Sequence, residues 1–121
     1  MPQKPKVLIV EDDPLYQDIY AERLHEKVEI LRAMTLDEGE KLFTENPDIA
    51  LVVMDACVPG QKLNSIPLIR KIRETFYGPI LAASSDPNFC KDLLKAGANH
   101  EVGESGKHLV YMHVEGILGL S

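Results

Sequence analysis

Three carboxylates and two hydroxyls in this chain stand at the ends of apolar runs, a placement that could support metal binding and phosphoryl transfer. Glu11 and Asp12 follow the run at residues 7–10, Asp55 follows 49–54, and Ser84 and Ser85 follow 80–83. Carboxylates crowded at one edge repel, and each pKa is raised unless a cation neutralises them. Oxygen-only donors suit a hard ion that keeps some of its waters, such as Mg²⁺. With such an ion screening the approach of two anions, Asp55 could attack a phosphoryl group while a nearby hydroxyl binds an equatorial oxygen. The product would be an aspartyl phosphate.

Taken singly, Glu11, Asp12 or Asp55 reads as a solvated strand end or turn residue, and Ser84 and Ser85 read as caps for the helix after Pro87. Their joint placement carries the signal. Asp13, directly before Pro14, has the chemistry of a helix cap and stays outside the site. Cys57 reads as a small loop or core residue and Cys90 as a helix-face residue. His25, His100, His108 and His113 have no ligand spacing, so no chemistry is assigned to them.

The elements that must position these residues follow from periodicity. Runs at 7–10, 28–31, 49–54, 80–83 and a weak 101–102 predict strands, and the first, third and fourth are nearly continuous in hydrophobicity, as strands buried on both faces are. Between them lie helix signals. Asp13-Pro14 offers a cap with proline at the first helical position, and Thr35 with Glu38 has capping-box spacing. Leu68, Ile69, Ile72 and Phe76 form one stripe, and Gly97 is a glycine stop. Five β-α units predict an α/β fold with a parallel, doubly wound sheet, whose ligands bind beyond the carboxyl ends of the strands.

Bulk properties narrow the function. A chain of 121 residues fits one domain, 1–121, with a hydrophobic core of its own. With 13 basic and 19 acidic residues the net charge is -6, and no Lys/Arg block interleaves with aromatics, which disfavours direct nucleic-acid binding. Two distant cysteines outside any C-x-x-C fit reduced thiols. No apolar signal core follows the N-terminus and no run approaches the ~18 residues of a membrane span. A cytoplasmic protein without membrane association is the expectation.

The stretches VLIVEDD, LVVMDACVP, ILAASSD and KAGANHEV, in this order and at these spacings, resemble a response-regulator receiver domain of the CheY-like family over nearly the whole chain. The resemblance implies a flavodoxin-like (βα)5 fold with strand order 2-1-3-4-5. It places the acidic pair on Glu11 and Asp12 and the phospho-acceptor on Asp55. The third protein ligand of Mg²⁺, a main-chain carbonyl, falls on Cys57, the turn proline on Pro59, and the phosphoryl-binding hydroxyl on Ser84. It further implies a sensor histidine kinase or phosphotransfer protein as donor, or a small phosphodonor. Output would pass through a face built from the fourth helix, fifth strand and fifth helix, to a protein target or to an effector domain of a longer chain. Such a domain is not an enzyme beyond self-phosphorylation and self-dephosphorylation.

Three features depart from the family pattern. Counting from KAGANHEVGES, the family's active-site lysine falls on Glu104 and the proline after it on Ser105, which would exchange attraction for repulsion where phosphate adds negative charge. A loop drawn differently through Gly103 and Gly106 could instead bring Lys107 back to the site. Glu101 occupies the aromatic switch position. The connection 60–67, GQKLNSIP, has two extra residues that could alter kinase docking. In the last helix Val110, Val114 and Ile117 form one apolar stripe, while Leu109 and Met112 form a second. That second stripe is either core packing or a contact face for a partner helix or a second copy in a homodimer. A flavodoxin would need a phosphate-cradling loop in place of the acids, and a dehalogenase-type phosphatase would need an acid where Cys57 stands. The alternative is a pseudo-receiver, a docking module indifferent to phosphorylation.

Overall fold

Residues 7–10 carry no polar side chain that could face water, and each is completely buried, as befits an interior strand covered on both faces. They belong to β1 (Lys6–Val10) in a computed structural model that describes residues 3–59 and 62–120. The strands β2 (Glu29–Ala33), β3 (Ile49–Met54), β4 (Ile80–Ala82) and β5 (His100–Glu101) follow in the chain. They alternate with helices α1 (Pro14–Leu24), α2 (Leu36–Glu45), α3 (Ile66–Arg73), α4 (Pro87–Ala96) and α5 (Val110–Leu118). All pairings are parallel and the order is β2-β1-β3-β4-β5, the flavodoxin-like arrangement. Helix α1 packs with α5, while α2 packs with α3 and α3 with α4.

Leu8, Ile9, Leu51, Ile80 and Leu81 from the sheet meet Leu24 of α1, Ile69 and Ile72 of α3 and Leu93 of α4 in one core. Each such side chain contributes about 1.5–3 kcal/mol of transfer free energy. Gly39 of α2 lies so close to β1 that a Cβ there would stand 2.9 Å from Val10 Cγ2. The two aspartate-proline pairs act alike: Asp13 accepts from Leu15 N at 2.9 Å and Asp86 from Asn88 N at 2.9 Å. The cap of α4 is therefore Asp86, not Ser84 or Ser85. Thr35 Oγ1 accepts from Glu38 N at 3.1 Å and donates to the Glu38 carboxylate at 3.4 Å. At Gly97, φ is 141°, and α4 stops there as the sequence predicts.

Boundaries differ from the sequence reading where tertiary pairing decides them. Strand β2 runs on to Ala33 because Arg32 and Ala33 pair with Ile9 and Val10. Strand β5 begins at His100, and Val102 follows it with N–H bonded to Ala82 O at 3.1 Å. Helix α3 ends at Arg73, whose guanidinium takes Gly97 O at 2.7 Å, Phe76 O at 3.0 Å and Gly78 O at 2.6 Å. Phe76 lies just beyond the helix, keeps an N–H bond to Ile72 O at 2.9 Å, and packs edge-on to Phe43. Among the described residues no helix is long and apolar enough to cross a membrane.

Candidate functional site

Register brings the acids together. Val10, Met54 and Ala82 are aligned across β1, β3 and β4, and the ladder continues one residue further. Glu11 N donates to Ala33 O at 3.0 Å, Asp55 N to Val10 O at 3.1 Å and Ala83 N to Met54 O at 2.9 Å. Glu11 and Asp55 therefore emerge side by side at the carboxyl edge, and one carboxylate oxygen from each of Glu11, Asp12 and Asp55 lies within 4.8 Å of the others. Glu11 is 2 % exposed and Asp55 6 %, with Asp12 half-buried.

Three side chains that the sequence reading passed over hold this edge in place. Gln17 of α1, fully buried, points its Nε2 at the carbonyls of Ile9, Glu11 and Ala33 at 3.0–3.1 Å. Asn64 brackets Val58, accepting from its N–H at 2.8 Å and donating to its carbonyl at 3.0 Å. Ser65 Oγ donates to Ala56 O at 3.1 Å, so the chain after Asp55 is tied back beneath it. Gly60 and Gln61, part of the lengthened connection 60–67, lie outside the described residues.

A cation stands among the acids, and it is Lys107. Its Nζ lies 2.5 Å from Glu11 Oε1 and 3.2 Å from Asp55 Oδ2, with the side chain 12 % exposed. The same nitrogen is 4.5 Å from the centroid of the Tyr16 ring, and Tyr20 donates its hydroxyl to Lys107 O at 2.7 Å. The expectation that Glu104 faces the acceptor is corrected: Glu104 is exposed in a short 3₁₀ turn, Gly103–Ser105. Gly106, at φ 76°, joins that turn to a second, Lys107–Leu109. A 3₁₀ turn advances about 2.0 Å per residue against about 3.3 Å in a strand, so Lys107 arrives where an extended count puts an earlier residue. Glu101 is exposed on β5 and takes no part in this cluster.

One ammonium does not neutralise this many buried carboxylates. Burial, reinforced by the Asp55 charge, pushes the Glu11 carboxyl up to about 7 despite its bond to Lys107. Burial also raises Asp55, with Lys107 opposing. Burial works against the Lys107 ammonium as well, yet the Glu11 hydrogen bond and the two carboxylate charges outweigh it and raise its pKa. Lys107 is thus firmly charged while the acids carry an excess of negative charge, and a second cation among these oxygens would relieve it. The donor set, three carboxylates and no nitrogen or sulfur ligand, fits a hard divalent ion such as Mg²⁺.

Beside Asp55 a cavity of about 340 Å³ is lined by Cys57, Ser84, Ser85, Asp86, Phe89 and Lys107. Ser84 Oγ accepts from Asp86 N at 3.1 Å, a bond that uses a lone pair and leaves the hydroxyl proton for an incoming oxygen. Burial pushes the Cys57 thiol up, and its sulfur is not among the ligand atoms that converge with Glu11, Asp12 and Asp55. Met112 is 54 % exposed, and with Leu109, His113 and Ile117 it borders a groove along α5, while Val110 and Val114 are in the core.

No protein-family model matches the sequence, and no curated protein matches it either. Solved structures do. A two-component response regulator from Clostridium difficile superposes with a TM-score of 0.79 at 20% identity, over 96% of this chain and 97% of that one. A CheY-like response regulator receiver domain protein from Methanospirillum hungatei gives 0.72 at 20% identity, over 97% and 95%. A chain of the CheX-CheY-BeF3-Mg²⁺ complex from Borrelia burgdorferi gives 0.76 at 22% identity, over 96% and 90%. The chain has the fold of response-regulator receiver domains.

Proposed function

We propose that this chain is a receiver of two-component signalling that accepts a phosphoryl group on Asp55 in a Mg²⁺-dependent reaction and signals by protein contact. An Asp55 carboxylate oxygen attacks phosphorus in line. A P–O bond to Asp55 forms as the P–N bond of a kinase phosphohistidine, or the P–O bond of an acyl phosphate, breaks, and the leaving group departs with the bonding pair. Glu11, Asp12 and Asp55, with the main-chain carbonyl of Cys57, would hold the Mg²⁺, which supplies charge neutralisation between the two anions. Lys107, 3.2 Å from Asp55, pairs with phosphoryl oxygens, and the Ser84 hydroxyl donates to another. The domain acts as a signalling element rather than a classical enzyme. Its donor is a histidine kinase or phosphotransfer protein, and its output face comprises α4, β5 and α5.

The observation that carries this reading is the half-buried Lys107 ammonium beside Asp55 and the acid pair. It also removes the main support for a phosphorylation-independent docking module, which was a glutamate at that place. The test is intact-protein mass after incubation with acetyl phosphate and Mg²⁺. A gain of one phosphoryl group that disappears in Asp55→Asn and under chelation is expected. No gain where an ordinary receiver is labelled would reverse the conclusion in favour of the docking module.

A further inference from the structure

Lys107 reaches the site from a segment with little rigidity of its own. The two 3₁₀ turns around it are closed by Gly106 N to Gly103 O and Leu109 N to Gly106 O, both at 3.4 Å, near the limit of a useful hydrogen bond. A four-carbon side chain on such a support would sample many rotamers. Glu11 and Asp55 pair with its ammonium, and what fixes its main chain comes from 87 residues earlier in the chain. Tyr20, 1 % exposed, places its hydroxyl 2.7 Å from the Lys107 carbonyl, and burial raises its pKa so that the phenol stays a donor. Tyr16, one turn before it on the same face of α1, lays its ring 4.5 Å from the ammonium and stacks on Tyr20 with centroids 6.2 Å apart. Between them in sequence, Gln17 fixes the main chain of Glu11.

We propose that Tyr16 and Tyr20 are positioning residues for Lys107: Tyr20 fixes its main chain, the Tyr16 ring backs the ammonium that Glu11 and Asp55 pair with, and α1 thereby holds Lys107 and Glu11 in one frame. The geometric part stands on these contacts alone, and its consequence for phosphoryl transfer rests on the function proposed above.

The test reads the lysine directly. The full chain is treated with an amine-acylating reagent and the modification rate at Lys107 is followed by peptide mass spectrometry against exposed Lys91. Tyr20→Phe, which keeps the ring, should accelerate Lys107 about fivefold, the factor one hydrogen bond supplies. Tyr16→Leu, which keeps bulk without a π face, should accelerate it about two- to fivefold. Lys91 should be unchanged in both. An unchanged Lys107 rate, or an equal rise at every lysine, would overturn the proposal, the latter because it reports loosening of the whole fold. If Lys107 is freed but Asp55 labelling is unaffected, in these variants and in Lys107→Met alike, the positioning role is upheld and the assignment of Lys107 to phosphoryl transfer is lost. With both correct, Tyr20→Phe slows labelling in the native background and leaves the Lys107→Met background unchanged.

Discussion

Replacing Glu11 by glutamine should make the metal-free protein more stable above neutral pH and remove most of a pH dependence that the native protein carries. The folded-state pKa of Glu11 is about 7 against an ordinary value of 4.5. An acid whose pKa is raised by folding binds its proton more tightly in the folded state, so stability is greatest below about pH 4.5 and declines as pH rises through about 7. At about 1.36 kcal/mol per pH unit the decline from this group reaches about 3 kcal/mol, and the raised pKa of Asp55 acts in the same direction. Glutamine keeps the shape and the acceptor for Asp13 N, 3.0 Å away in the native protein. The charge-assisted bond to Lys107 is already contained in that pKa, so it is not subtracted again. The net expectation is a gain of about 2–3 kcal/mol near pH 8 and a much shallower pH profile. Urea unfolding at several values between about pH 5 and 8 measures both. Saturating Mg²⁺ should restore about 2–3 kcal/mol to the native protein near pH 8, as a ligand at about a hundred times its dissociation constant does, and far less to Glu11→Gln. A native profile that is flat or rises over this range, or an equal slope in the variant, would refute the charge-excess reasoning.

Other substitutions test the frame around the site. Asn64→Ala removes both bonds to Val58 and should cost about 2 kcal/mol in urea unfolding while slowing Asp55 labelling by acetyl phosphate. Gly39→Ala gains about 1 kcal/mol of helix propensity but drives a Cβ to 2.9 Å from Val10 Cγ2 in a filled core. Overpacking of about 1–3 kcal/mol should win, giving a lower Tm in calorimetry. Thr35→Ala loses the α2 cap at 3.1 Å and should cost about 1 kcal/mol without altering the labelling rate.

The sheet was legible because its order follows from buried apolar runs that need parallel neighbours on both sides. Val7 to Val10 and Ile49 to Met54 could occupy few other places. The acidic edge was legible for a related reason: once the strands are parallel, the residue after each run is delivered to the same side, and Glu11 and Asp55 are those residues. Gln17 and Asn64 gave no such signal. A glutamine in a helix and an asparagine in a loop are ordinary surface residues, and only the approach of α1 to the ends of β1 and β2 turns the amide of Gln17 into a clamp. Tyr16 and Tyr20 gave no signal either, because their partner lies in a segment whose path depends on two glycines.

That path is the reason Glu104 looked like the residue at the acceptor. Counting residues after β5 assumes an extended chain, whereas residues 103–105 are wound into a 3₁₀ turn and Gly103 and Gly106, at φ 60° and 76°, redirect the backbone on either side. About three wound residues advance roughly as far as two extended ones, and the lysine's long side chain spans what remains. The charge requirement points the same way. A glutamate buried beside Glu11 and Asp55 would add a further carboxylate to a cluster already short of positive charge, whereas on the surface it is solvated at little cost. The electrostatic demand of the acidic edge, rather than the position of a residue in a motif, selects Lys107, and the two glycines let the chain meet that demand from three residues further on.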